Sequence, residues 1–453
     1  MGPAYCAQMD PWPLTHPGDP IEPNRSARAP VRTSTTVSDV GVPDLDGLVA
    51  AVPPGATLRI TRAWKRFSPL VLSRPVALVF EGAGSIAMTD HATAIEIASS
   101  WVCVSGARLV GPGGTVQGDG RGIRARATSE APFRGLRVSG CTITEFSRSA
   151  LEFQHVQDFV VESNTVQDLG HAGVVLLSCS DGTVNDNTVA DVHQPHGYGD
   201  SAGVAVSRDD ARDSRDAPGS ARVAVDRNRI TGVRGSVGIE IRCGADLAVR
   251  QNRVQDCRVG ITVLVSKQAV DLDAGSASGQ VLVAGNHLER RAPLGPGSGI
   301  VIRGAGTAVR DDRQRVTATI TGNTIVGFGG SSSDAGIRAS RTHALVMSDN
   351  ELHSCVRAAV SLAHCDGRTT VTRTSVHGVV PPEPGGQSVA IEVGAATSAR
   401  VMATRVLPGV DGRRCSSGAV CASGSRLTLL ANDWSGAERA IAGAGTFLRS
   451  GEQ

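Results

Sequence analysis

The sequence predicts an all-β solenoid, a pile of short strands hydrogen-bonded into long parallel sheets. Three observations predict it. Glycine supplies 54 of the 453 residues while aromatic residues make up only 3%, too few for the core of an ordinary globular enzyme of this length. From about residue 100 a turn motif, Asn-x-apolar, recurs, and a second motif, Gly/Ala-Ile/Val-x-apolar, follows it ten to twelve residues later wherever no insertion intervenes. The shortest steps between asparagines, 164 to 187 and 228 to 252, set a unit of 23 or 24 residues. So short a unit cannot bury its own apolar face and has to stack on its neighbours.

Taken in order, residues 1–36 hold seven prolines and no apolar core segment, and a disordered or loosely draped arm is expected there. They lack the basic start and continuous apolar run of a secretory signal, so a cytoplasmic location is expected. Residues 37–90 read as a cap and opening strands, and residues 91–453 as the repeat. Asn164, Asn187, Asn228, Asn252, Asn286, Asn323 and Asn350 begin successive turn motifs, with Asn432 a later copy. Stacked at one corner, each amide can donate to the next coil and accept from the previous one. Ile239, Ile261, Ile300 and Ile337 of the second motif should stack inside. The Gly or Ala before them is read as turn geometry at the start of the strand.

Charge and cysteine content narrow the function classes. Forty-five basic against 43 acidic residues leave a net charge of +2, which gives no basic face for nucleic acid. No apolar run approaches the ~20 residues of a membrane span. The ten cysteines form no Cys-x-x-Cys pair, which speaks against zinc, and most replace apolar residues in strands. Cys415 and Cys421, six residues apart in a Ser/Gly loop, are the two expected to be able to approach each other. Arginine outnumbers lysine 43 to 2, so Lys267 is an unusual residue in this chain.

The coupled Gly-Ile-x-Val and Asn-x-Ile motifs, over roughly residues 90–445, resemble the right-handed parallel β-helix of the pectate-lyase-like superfamily. The stretch from Asp44-Leu45-Asp46-Gly47-Leu48 to Val76-Ala77-Leu78-Val79-Phe80 resembles that superfamily's N-terminal region. The resemblance implies a right-handed parallel β-helix of about 10–12 coils, closed at its N-terminal end by a short capping helix. It also implies that any active site lies on the outer face of the Gly-Ile-x-Val strands. The superfamily includes lyases, epimerases, glycosidases, phage tailspikes and adhesins, so the fold alone leaves the reaction open.

Alternation along those strands points the x residue outward, giving the column Glu96, Arg124, Glu152, Val175, Ala205, Glu240, Thr262, Val301, Arg338, Ser361 and Glu392. Insertions at 190–201, 207–221, 265–279, 289–298 and 303–315 would wall a trough over the middle of this column. One of them, Asp191-Val192-His193-Gln194-Pro195-His196-Gly197-Tyr198-Gly199-Asp200, concentrates two histidines and a tyrosine. The histidine-glycine pattern around His171 resembles that of alginate-type C5-epimerases, without their acidic calcium-repeat tail. Glu152 and Glu240 lie three coils apart, about 14 Å at the sheet spacing, beyond the reach of a glycosidase pair. The succession Glu96, Arg124, Glu152 reads as a stabilising ion-pair ladder.

Proton abstraction beside a carboxylate fits the residues better. It needs a cation for the substrate's acid, a base and a proton donor. Arg242, Arg303 and Arg338 suit the first role, because a guanidinium fork matches a carboxylate. His171, His193, His196, Tyr198 and Lys267 are the candidate proton carriers, with Asp200 and Glu240 as substrate-binding groups. In some β-helix lyases a lysine is the base with an arginine nearby, which the resemblance carries to Lys267 and Arg303. No cofactor is expected. Calcium would need clustered acids, and Asp209, Asp210, Asp213 and Asp216 alternate with Arg208, Arg212 and Arg215, reading as a self-neutralising exposed loop. The expected function is a lyase or epimerase acting on an acidic sugar. The alternatives are an intracellular isomerase or cyclase working on a small biosynthetic intermediate, and a non-catalytic glycan-binding or tailspike-like module. The expected partner is a small-molecule or oligosaccharide substrate, with no nucleic acid and no membrane.

Overall fold

The computed structural model describes residues 35–194, 201–209, 219–264, 279–291, 295–304, 316–365 and 368–449. Its strands form three sheets of 16, 14 and 13 members, and every pairing between sheet strands is parallel. One coil runs through all three: Val156–Glu162 in the 16-stranded sheet, Thr165–Leu169 in the 13-stranded sheet, then Ala172–Leu177 in the 14-stranded sheet. The 14-stranded sheet carries the Gly-Ile motif and the 13-stranded sheet the Asn-x-Ile motif. There are more coils than the ten to twelve expected, because the segment before residue 90 supplies coils of its own. Thr57–Ile60, Ala63–Arg66 and Leu70–Leu72 already make a full turn through the same sheets.

The N-terminal end is closed by the helix Leu45–Ala51, the only one among the described residues. Asp44 caps it, its carboxylate accepting from the Asp46 and Gly47 amides at 3.0 Å, and Leu45 and Val49 are buried under it. Seven residues are too few to cross a membrane, and no described helix is long and apolar enough to do so.

The corner between the 16- and 13-stranded sheets shows why asparagine recurs. The residue before each asparagine is left-handed: Ser163, Asp186, Arg227, Gln251, Gly285, Gly322 and Asp349 have φ between 53 and 63°. One left-handed residue followed by Asn turns the chain in two residues. Asn252 Nδ2 then donates to Asn286 Oδ1 at 3.0 Å and to Val225 O at 2.8 Å, while its Oδ1 accepts from the Asn228 amide at 2.9 Å. The same bonds repeat from Asn164 to Asn350, and all seven side chains are buried. Inside the stack Ile239, Ile261, Ile300 and Ile337 are consecutive register partners, as the motif requires.

Two sequence expectations need correction here. The glycines that start the Gly-Ile strands are not there for left-handed turns: Gly173, Gly203, Gly238, Gly260, Gly299 and Gly336 are absent from the positive-φ residues. They sit where the 14-stranded sheet closes on the core. A Cβ on Gly238 would lie 2.4 Å from Val254 Cγ1 and 2.7 Å from Gly260 O, and one on Gly203 would lie 2.5 Å from Ile230 Cγ2. The requirement is close approach, and at these positions only glycine, which has no Cβ, meets it without a shift of its neighbours. Secondly, Cys415 and Cys421 lie at the two ends of one strand, Cys415–Cys421, both buried. Six residues of extended chain separate them by about 20 Å, far beyond disulfide reach. No disulfide joins the nine described cysteines. Burial pushes the thiols of Cys141, Cys179, Cys257 and Cys355 up to about 12, so they remain protonated packing groups.

Candidate functional site

The outward column of the Gly-Ile sheet is realised in register. Glu152 pairs with Val175, Val175 with Ala205, Ala205 with Glu240, Glu240 with Thr262, Thr262 with Val301, Val301 with Arg338, Arg338 with Ser361 and Ser361 with Glu392. A second outward column runs through Arg242, Leu264, Arg303 and Ser340. Extended strands flanked by parallel partners fix the spacing of these side chains, so the floor of the expected trough is rigid.

At its centre Arg242 turns back on its own strand. Its Nε donates to Glu240 Oε1 at 3.0 Å, and Nη2 reaches the same oxygen. Two residues apart on one face, the side chains are close enough to neutralise each other. Arg242 was expected to offer its charge to a substrate carboxylate; in the structure that charge is matched by Glu240. Beside them Thr262, only 5% exposed, keeps a buried hydroxyl that has no hydrogen-bond partner among the described residues. One and two coils further on, Arg303 and Arg338 point outward, and neither side chain makes a hydrogen bond or ion pair among the described residues. Among the described residues, those two are the guanidinium groups of this stretch without a side-chain partner.

Further along, Glu392 accepts from Arg357 Nη1 and Nη2 at 3.0 and 2.9 Å and from Ser361 Oγ at 2.8 Å. Burial would raise its carboxyl, but these bonds and the charges of Arg357 and Arg338 outweigh it and hold the group below the usual range. Towards the N-terminal end Glu152 is buried against Arg121, Nε to Oε2 2.7 Å, with Arg148 at 3.6 Å. Arg124 pairs with Glu96 instead, at 2.8 Å, so the ladder anticipated through Glu96, Arg124 and Glu152 is two separate pairs.

The histidines are placed differently. His171 precedes the strand Ala172–Leu177, its amide donating to Arg148 O at 2.7 Å. His193 sits one coil above, its Nε2 3.2 Å from Asp168 Oδ1, at the margin of the Asn-x-Ile sheet. Both lie on the side of the trough where the chain approaches the Gly-Ile sheet. His196, Tyr198, Asp200 and Lys267 lie outside the described residues.

One cluster was missed. Asp209 is buried, not part of an exposed self-neutralising loop. Its Oδ2 lies 3.1 Å from His155 Nε2 and accepts from Gln154 Nε2 at 2.5 Å, and its amide donates to Ser178 Oγ at 2.9 Å. The chain beyond the strand Ala202–Ser207 thus folds back over one coil to reach a corner two coils earlier. Arg208 beside it is buried as well. His155 at the end of a Glu-x-Gln alternation was the only local hint, because the contact depends on a fold-back that no periodicity encodes. Among the described residues no group of three or more His, Cys, Asp or Glu side chains is arranged to hold a metal ion.

A family model described as a right-handed β-helix region matches residues 122–325. The fold is a right-handed β-helix. No protein of curated function is significantly similar to the chain in sequence. Among solved structures, this β-helix is similar to the tailspike protein of E. coli bacteriophage HK620 in complex with pentasaccharide, at 12% identity over 82% of this chain and 71% of the other, with a TM-score of 0.56. It is also similar to the catalytic unit of a thermostable GH87 α-1,3-glucanase from Streptomyces thermodiastaticus, at 16% identity over 93% and 68%, with a TM-score of 0.46. A third is the enzymatically active domain of bacteriophage CBA120 tailspike protein 2, at 14% identity over 64% of this chain and 43% of that one, with a TM-score of 0.45. At such identities the likeness concerns the fold.

Proposed function

We propose that this β-helix acts on an acidic carbohydrate laid along the outer face of the Gly-Ile sheet, by proton transfer of the lyase or epimerase type. The observation that carries the reading is the outward row of Glu240, Arg242, Arg303 and Arg338 along one sheet, the last two with no side-chain partner among the described residues. Arg303 would hold the carboxylate of the reacting sugar, which also acidifies the carbon beside it, and Arg338, one coil further, the carboxylate of a neighbouring sugar. Glu240, two coils from the strand of Arg303, would take that proton, and Arg242 beside it would stabilise the charge that develops. His171, His193, His196, Tyr198 and Lys267 are the groups for the opposite face or the leaving oxygen.

The tailspike of similar fold is bound to a pentasaccharide, which supports a glycan as ligand and favours a second reading, glycan binding without turnover. One experiment separates them. The protein is incubated with oligosaccharides of uronic acids in deuterated water. Elimination gives a product with the ultraviolet absorbance of an unsaturated uronate, and epimerisation gives deuterium at the inverted carbon. Glu240→Gln should lower kcat by about 10²–10⁴-fold, and Arg338→Ala should chiefly raise KM. Binding without either product would leave the glycan-binding reading standing and remove the catalytic one. If uronate oligosaccharides neither bind nor react, the acidic-sugar reading is lost.

A further inference from the structure

The floor of the trough is not open along its whole length. The strand Ser149–Gln154 is buried at all six positions, the outward Glu152 and Gln154 included. On the strands before and beyond it outward residues reach solvent: Arg124 and Arg126 one coil earlier, and Ala205 and Ser207 two coils later, are half-buried or exposed. Glu152 and Gln154 are long polar side chains, which project from an outer face into water unless something lies on them. Thr262, buried as well, is a short side chain beside the longer Glu240 and Arg242 and needs no such cover.

Two segments cover Glu152 and Gln154, one from each margin of the sheet. From the Asn-x-Ile side the glycine-rich stretch 111–120 climbs two coils. The Gly113 amide donates to Glu145 O at 2.8 Å, and a Cβ on Gly114 would lie 1.9 Å from Asp168 O, so the stretch is pressed onto the coils it crosses. Near its end Asp119 accepts from Arg148 Nη1 at 3.0 Å through its carboxylate and from Arg121 Nη1 at 2.7 Å through its carbonyl. Those are the two arginines that enclose Glu152. From the opposite margin Arg208 and Asp209 fold back across Ser178, and the Asp209 carboxylate accepts from Gln154 and faces His155.

We propose that these two segments dam the trough at Glu152, so that the site takes the end of a glycan chain and cannot hold its middle. This rests on the acidic-carbohydrate reading above and adds to it the way the polymer enters. Val175 and Ala205 are the outward residues left between the dam and Glu240. Two coils of floor there give about 10 Å, room for about two sugar residues at the sheet spacing. In the other direction the column continues through Arg338, Ser361 and Glu392, all half-buried, and no covered strand interrupts it. The chain end therefore lies against the dam, and the rest of the polymer leaves towards the C-terminal coils.

The test counts proteins per chain. The full chain is titrated by calorimetry with uronate homopolymers of increasing length, and the stoichiometry is read against the number of polymer chains. A site that takes a chain end binds one protein per chain, and doubling the length should leave that count unchanged. A count that doubles with length means that the site straddles the interior of the polymer; it overturns the dam and leaves the acidic-sugar reading intact. Asp119→Ala together with Asp209→Ala loosens both segments, and this variant should bind at several places on one long chain. A double variant that is folded by circular dichroism yet stays at one per chain overturns the assignment of the stop to these segments. Should the variant not fold, the wild-type count alone decides. If no uronate polymer binds the wild type, the acidic-sugar reading is lost and this inference with it.

Discussion

Asn252 illustrates how much one side chain carries in this stack. Its amide group serves Asn286, Val225 and Asn228 at once, with no exposed surface to let water replace a lost bond. Asn252→Ala is therefore expected to cost about 1–3 kcal/mol, checked by urea denaturation; an unchanged midpoint would mean the ladder is ornamental. Two titrating residues give a second expectation. Burial, then the neighbouring His353, lowers the pKa of His377 from its usual 6.5, the two rings being stacked at 4.5 Å. The unfolded chain then binds the proton more readily, so this contribution is complete above about pH 6.5 and is lost as the pH falls. Arg291 chiefly holds Glu289 down, to about 2 against 4.5, so its contribution is complete above pH 4.5 and is lost between 4.5 and 2. The urea midpoint should fall in two windows on acidification, and Glu289→Gln should shrink only the lower one, to which Glu392 and other paired carboxylates also contribute.

At the scale of the strand and turn, the motifs that repeat were legible and the contacts that do not repeat were not. Asn252 and Ile261 could be placed because every coil imposes the same corner and the same alternation. Gly238 was recognised but misread: its spacing is visible in the sequence, whereas the Val254 side chain pressing on it belongs to another sheet. Asp209 was misread for the same reason, its partner His155 lying two coils back. The outward position of Arg242 could be derived, but its partner depends on rotamers, and Glu240 won. Gly238→Val should thus destabilise by about 1–3 kcal/mol through overpacking, and Gly238→Ala by less. If circular dichroism melts show Gly238→Val as stable as wild type, the 14-stranded sheet does not close on the 13-stranded one as tightly as the 2.4 Å from an added Cβ to Val254 Cγ1 requires.

Over the whole molecule the coils are held chiefly by their two neighbours, so stability is distributed along one axis. Among the described residues the last strand of the Gly-Ile sheet, Ala437–Gly443, is paired on one side and is largely exposed. Hydrogen exchange should be slowest around Ile239, Ile261 and Ile300 and fastest in that last strand, and uniform rates would contradict a one-dimensional stack. The same axis turns the outward column into a ruler. Its graduations are coils, about 4.8 Å each, and Glu240 and Arg338 stand three marks apart. A substitution changes the chemistry at one mark and leaves the scale alone. Gain or loss of a whole coil between them would move one mark against the other by a single graduation, without tilting either side chain. Substrate length in such a protein can thus change only in whole steps, independently of the chemistry at each end.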